Sequence, residues 1–73
     1  MKANIHTMGF FISGELKKID SQFVQIVCAN VNVSTMSDLY RFKASVWSLP
    51  SGKLSIIVNR EDILSIEFID KED

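Results

Sequence analysis

Gly9-Phe10-Phe11-Ile12-Ser13-Gly14-Glu15-Leu16-Lys17-Lys18-Ile19-Asp20-Ser21-Gln22-Phe23-Val24 holds the first clue to the architecture of this 73-residue chain. Ile12, Gly14 and Leu16 fall on one face of an extended segment, and Ser13, Glu15 and Lys17 on the other. A period of two marks a strand with one wet face. Ile19 then follows Leu16 at a spacing of three, so the apolar face changes parity. A strand does this only through a bulge or a tight coil. Gly14, without a side chain, permits the close backbone approach that such bending needs. The segment is therefore expected to carry the chain around a barrel corner. Asp20 is expected to fix the turn that follows, because a carboxylate at a turn start accepts hydrogen bonds from nearby main-chain N–H groups.

The same reading extends outward. Ile and Val together number 15, against 8 for Leu plus Ala, and branching at Cβ suits a pleated surface. Ala3 to Met8 is a short, weakly patterned start. Phe23 to Cys28 is apolar on both faces apart from Gln25, which predicts burial on two sides. Ala29 to Val33 relaxes to alternation, with Asn30 and Asn32 facing water. Leu49-Pro50-Ser51-Gly52-Lys53 predicts a hairpin, Pro presetting φ for a type I turn and Gly accepting the left-handed position after it. Leu54 to Asn59 returns, and Ile63 to Ile69 closes the chain before a charged tail at 71–73.

One stretch, 36–49, supports two readings. Leu39, Phe42, Val46 and Leu49 recur at helical spacing, with Ser34, Thr35 or Ser37 available as a cap. Tyr40, Phe42, Ala44 and Val46 also alternate with Arg41, Lys43 and Ser45, and the strand reading is preferred because the Pro-Ser-Gly turn favours a hairpin. The expectation is all-β: a small, five-stranded, strongly bent antiparallel SH3-like barrel, residues 1–73 forming one domain.

Composition narrows the function. A chain this short buries only roughly 60% of its unfolded surface. With one cysteine, Cys28, and no Cys/His cluster, neither disulfides nor a structural metal are expected to supplement the core. Assembly with further copies is the remaining common route to stability. No apolar run approaches the ~20 residues of a membrane span, and no signal peptide is visible. A lone cysteine then fits a reducing, cytoplasmic setting. A net charge of −1 argues against gripping nucleic acid by bulk electrostatics. No Ser or Cys stands beside a His with a supporting acid, and no phosphate loop is present. The chain is not expected to be an enzyme or to need a cofactor.

Two segments resemble the Sm-like family, which includes the Sm and Lsm proteins and bacterial Hfq. The first is Gly9 to Val24, whose Gly9, Ile12, Gly14, Leu16, Ile19 and Asp20 keep the register of the family's first motif. The second is Val58-Asn59-Arg60-Glu61-Asp62-Ile63-Leu64-Ser65-Ile66, similar to the closing motif of strand, tight polar turn and apolar residues three apart. The departures are specific. The family's N-terminal helix is not expected in the eight residues before Gly9. Val24 stands where Sm proteins carry an Asn for a uracil edge, Gln22 where a base-stacking side chain sits, and Asn59-Arg60 where Arg-Gly closes the turn. Set against Hfq, Gln22-Phe23-Val24 is similar to its Gln-Phe-Val with one residue inserted after the Asp.

The resemblance implies a non-catalytic, RNA-binding homo-oligomeric ring. Single-stranded RNA would be held at the pore by the turns near Asp20 and Arg60, with U-rich or A-rich sequences as the candidates. Binding of this kind needs a stacking face, an edge-reading amide and local positive charge. Phe23, Gln22, Asn59 and Arg60 supply these types. Core packing for Phe23, a solvated turn ion pair for Arg60 with Glu61 or Asp62, and plain turn formation for Gln22 and Asn59 are the structural alternatives. The ring is expected to form through edge strands 54–59 and 63–69, pairing head to tail. A structural or protein-interaction ring of the same fold without RNA binding is the alternative. Cys28 reads as buried packing and His6 as a residue without a catalytic or metal role. Trp47 reads as a second-layer core residue or as an outward aromatic suited to an interface, and Tyr40, Arg41 and Lys43 as a solvated strand face in preference to a small basic-aromatic patch. An unrelated SH3-like module taking a peptide on Trp47 and Tyr40 is a third reading.

Overall fold

The computed structural model describes residues 1–69, so the charged tail expected at 71–73 lies outside the described residues. Six strands form one antiparallel sheet: β1 (Lys2–Thr7), β2 (Phe11–Ile19), β3 (Phe23–Cys28), β4 (Ser45–Ser48), β5 (Leu54–Asn59) and β6 (Ile63–Ile69). Their order is β4-β5-β3-β2-β1-β6. A helix, α1 (Val33–Arg41), lies between β3 and β4, and a 3-10 turn, Arg60–Asp62, joins β5 to β6. The β-rich antiparallel architecture is as expected. The five-stranded barrel is not: six strands are present, and the marginal strands β4 and β6 are not paired with each other, which leaves the sheet open.

β2 is the corner strand. Its first half, Phe11 to Glu15, pairs with β1, and its second half, Glu15 to Ile19, pairs with β3. The register slips between Leu16 and Lys18, where the apolar pattern changes parity. At Gly14 the strands come so close that a Cβ would sit 2.4 Å from the Val27 carbonyl oxygen. Hence only glycine fits there, as the sequence implied. The concave side holds the core: Ile5, Ile12, Val24, Ile26, Cys28, Ile56 and Val58 are buried, joined by Phe10 and by Leu39 from α1. Each fully buried Ile or Val of this set contributes about 1.5–3 kcal/mol. The weakly patterned start proves to be a full strand, with Ala3, Ile5 and Thr7 buried and Lys2, Asn4 and His6 less so.

Two expectations are corrected here. Residues 33–41 are helical, not extended, so Tyr40 and Arg41 belong to α1 and not to a strand face. Asn32, read from the sequence as a water-facing strand residue, caps the helix: its Oδ1 accepts the Thr35 N–H at 2.7 Å, satisfying a donor that a helix start leaves orphaned. Met36, Leu39 and Phe42, three apart, turn toward the core. The helix ends in a reversal at Lys43, whose φ is 60°. The Ala44 N–H reaches the Leu39 carbonyl at 2.9 Å and the Lys43 N–H the Tyr40 carbonyl at 3.0 Å, the paired bonds of a Schellman stop. Only the last part of the contested stretch, Ser45–Ser48, is strand.

The second correction concerns strand 54–59, expected at an edge. It is β5, and it is interior: β3 lines one side along all six residues, and β4 lines the other opposite Leu54 to Ile57. The hairpin at Leu49 to Lys53 is the cause. The Gly52 N–H donates to the Leu49 carbonyl at 2.9 Å and the Leu49 N–H to the Lys53 carbonyl at 2.8 Å. Gly52 takes the left-handed conformation at φ 91°. This tight turn lays β4 along β5 and moves the margin outward by one strand. The other expected edge, 63–69, is β6 and is marginal.

Candidate functional site

The two turns singled out in the sequence meet. The first joins β2 to β3 through Asp20, Ser21 and Gln22; the second is the 3-10 turn after β5. They are tied together by Arg60, whose main-chain N–H donates to the Gln22 carbonyl at 2.9 Å. Its guanidinium donates to the Asp20 carbonyl at 3.2 Å. Register explains the meeting, since Phe23 lies opposite Asn59 at the common end of β3 and β5. A cleft of about 370 Å³ opens between the turns, lined by Ser21, Gln22, Asn59, Arg60 and Glu61.

Asp20 acts as the sequence suggested. Its Oδ1 accepts the Ser21 N–H at 2.6 Å and the Ser21 hydroxyl at 3.2 Å. The main-chain hydrogen bond from Ser21 is the chief reason that its carboxyl titrates below the ordinary 3.8. The Asp20 N–H in turn donates to the Phe23 carbonyl at 2.8 Å, closing the turn.

The four candidate binding residues divide as follows. Gln22, Asn59 and Arg60 line the cleft and are exposed. Two side-chain amides and a guanidinium thus share one concavity. Among the described residues no carboxylate lies within ion-pair distance of Arg60, neither Glu61 nor Asp62 included. Most of its five N–H donors remain available. Phe23 is not a core residue: it is half-buried, on the side opposite buried Val24. It does not line the cleft, and the Lys18 ammonium stands 5.8 Å from its ring centroid. An aromatic face with a cation over it lies beside the cleft. Val24 is fully buried, so no side chain from that position reaches the cleft.

The remaining candidates sit elsewhere. Cys28 is buried, and burial pushes its thiol pKa up. His6 on β1 stacks against Phe11 at 4.7 Å between ring centroids, with its Nε2 3.6 Å from Glu67. Trp47 is exposed on β4 while its neighbour Val46 packs toward the core. Arg41 pairs with Asp38 at 3.8 Å along α1. A feature that the sequence reading missed is a second cleft of about 330 Å³ along β6, lined by Ile19, Arg60, Ile63, Leu64, Ser65, Ile66 and Phe68. Its signal was legible in hindsight, since Leu64, Ile66 and Phe68 share one parity.

Compared with protein-family models, with curated proteins and with solved structures, the chain matches none. No helix among the described residues is long and apolar enough to cross a membrane.

Proposed function

We propose that the chain is a non-catalytic RNA-binding protein that acts as a homo-oligomeric ring of the Sm-like type. Single-stranded RNA would lie in the clefts between the Asp20 and Arg60 turns. The observation that carries this reading is the convergence of Gln22, Asn59 and Arg60 on one concavity, with the Arg60 side chain anchored on the Asp20 carbonyl. Anchoring pre-orders the guanidinium, so less entropy is lost when it meets a phosphate or base edge. The amides offer both donors and acceptors to a base edge, and the half-buried Phe23 beside them offers a stacking surface. The order of strand, short polar turn and strand at 54–69 fits the family's closing motif. Repetition around a ring supplies avidity that one weak cleft on a chain of net charge −1 lacks.

The test is fluorescence anisotropy with labelled oligo-U and oligo-A at low salt. Wild type is expected to bind, and Arg60→Ala to weaken binding about tenfold or more, the loss of one charge-assisted contact of about 1.5–3 kcal/mol. Binding that survives Arg60→Ala and Gln22→Ala unchanged would refute this cleft as the site. A second reading, a structural or protein-interaction ring without RNA binding, is favoured by the burial of Val24. It predicts an assembled particle with no oligonucleotide affinity.

A further inference from the structure

Among the described residues the sheet has two margins with no strand paired to their outer side, and their chemistry is complementary. Every neighbouring pair of strands is antiparallel. With six strands in the row, β4 and β6 therefore run in opposite directions, and a second copy set alongside, head to tail, continues the alternation. Neither margin is guarded in the usual way by Pro or by several charges. Ser45–Ser48 carries no charged residue, and Ile63–Ile69 carries Glu67 alone. The flanking charges are opposite: Lys43 precedes β4 and Lys53 lies across the hairpin at its far end, whereas Glu61 and Asp62 precede β6. Antiparallel pairing brings the Lys43 end of β4 to the Glu67 end of β6, and the Lys53 end to Glu61 and Asp62. Both ends match.

Apolar surface agrees with this. Leu64 is 65% exposed and Phe68 52%, at the β6 cleft. Val46, which packs on the core side of β4, would extend into it from the neighbour. Trp47, 43% exposed, would come to lie on the opposite face, across from Ile63 and diagonal to Ser65 of β6.

We propose that β4 of one copy pairs antiparallel with β6 of the next, with Lys43 against Glu67. The inference rests on the ring reading above and names the strand that carries it, β4 in place of β5. Because the contact joins two different surfaces, it repeats around a closed ring when the rotation allows.

Sedimentation equilibrium and Trp47 fluorescence test it on one dilution series, since Trp47 is the sole tryptophan. Particle mass is expected to fall to that of a single chain while the emission moves to longer wavelength over the same concentrations. Lys43→Glu and Glu67→Lys are each expected to raise the midpoint concentration about tenfold. Mixing the two variants restores assembly, because each altered margin then finds its opposite. A particle whose mass responds to dilution while Trp47 emission, both variants and the mixture do not would overturn this pairing and leave the ring standing. A single chain at all concentrations overturns both. Assembly only after a foreign strand or peptide is added likewise overturns the choice of a second copy.

Discussion

Gly14→Ala probes the bend on which the sheet depends. A Cβ there would stand 2.4 Å from the Val27 carbonyl oxygen, 3.1 Å from the Val27 carbonyl carbon and 3.0 Å from the Cys28 Cβ. Ordinary contact begins at 3.4 Å, so β2 and β3 would have to part by about 1 Å (3.4 Å less 2.4 Å) beside the Glu15–Val27 pair. The obstacle is main chain, which has no rotamer to yield. Overpacking of this kind costs about 1–3 kcal/mol, and a stretched ladder bond adds about 0.5–1.5 kcal/mol. The lower chain entropy of Ala returns about 0.4–1 kcal/mol. The net expectation is a loss of about 2–3 kcal/mol, against a total stability of roughly 4–11 kcal/mol for a domain of this length. In urea followed by circular dichroism the midpoint should fall with the slope unchanged, and Tm should drop by roughly 10–20 °C. Gly52→Ala is the control: φ is 91° there but nothing lies within 4 Å, so only a conformational cost of about 1 kcal/mol applies. Gly14→Ala within about 0.5 kcal/mol of wild type, or less harmful than Gly52→Ala, would refute the close-approach reasoning.

Other perturbations isolate single elements. Asn32→Ala removes the α1 cap and is expected to cost about 1 kcal/mol with loss of protection at the Thr35 amide, read by hydrogen exchange. Lys43→Gly relieves a left-handed conformation and should stabilise the fold by about 0.5–1 kcal/mol in the same urea titration. The Asp20 carboxyl is depressed in the folded state, so its contribution is present above the unfolded pKa and fades as pH falls below about 3.8 through the folded value. Asp20→Ala should flatten that acid limb of the stability curve, and a carbon-detected NMR titration should place the Asp20 midpoint below 3.8.

The sequence disclosed most where one residue type has one physical use. The parity change from Leu16 to Ile19 located the bulge, and Gly14 the close approach. Pro50 and Gly52 located the hairpin, and Asp20 its turn. The helix was hidden because two periods coexist in 36–49 and because its cap, Asn32, precedes the Ser and Thr residues that drew attention. Its stop was hidden too, since the left-handed position holds Lys43 where a glycine would have announced it. The sixth strand was hidden by the weak pattern of Ala3 to Met8, which forms β1. The hairpin at Leu49 to Lys53 was legible, but not its consequence that 54–59 is covered by the strand before it. The cleft residues Gln22, Asn59 and Arg60 were legible because both turns belong to adjoining strands, whereas the apolar channel on β6 showed in the sequence only as the shared parity of Leu64, Ile66 and Phe68.

The attachment of β6 has a consequence for how the molecule opens. β6 is held to the sheet by β1, where Asn4 faces Glu67 across most of the chain's length, and the other strand contacts in its neighbourhood are far more local. Such a closure is entropically late to form and, being peripheral, early to loosen. Amide exchange should then be fastest along this final ribbon in a dilute sample. A neighbour seated on its outer side would clamp it, which ties the folding equilibrium to protein concentration. Solitary molecules would fray at one border, and crowding them together would mend it.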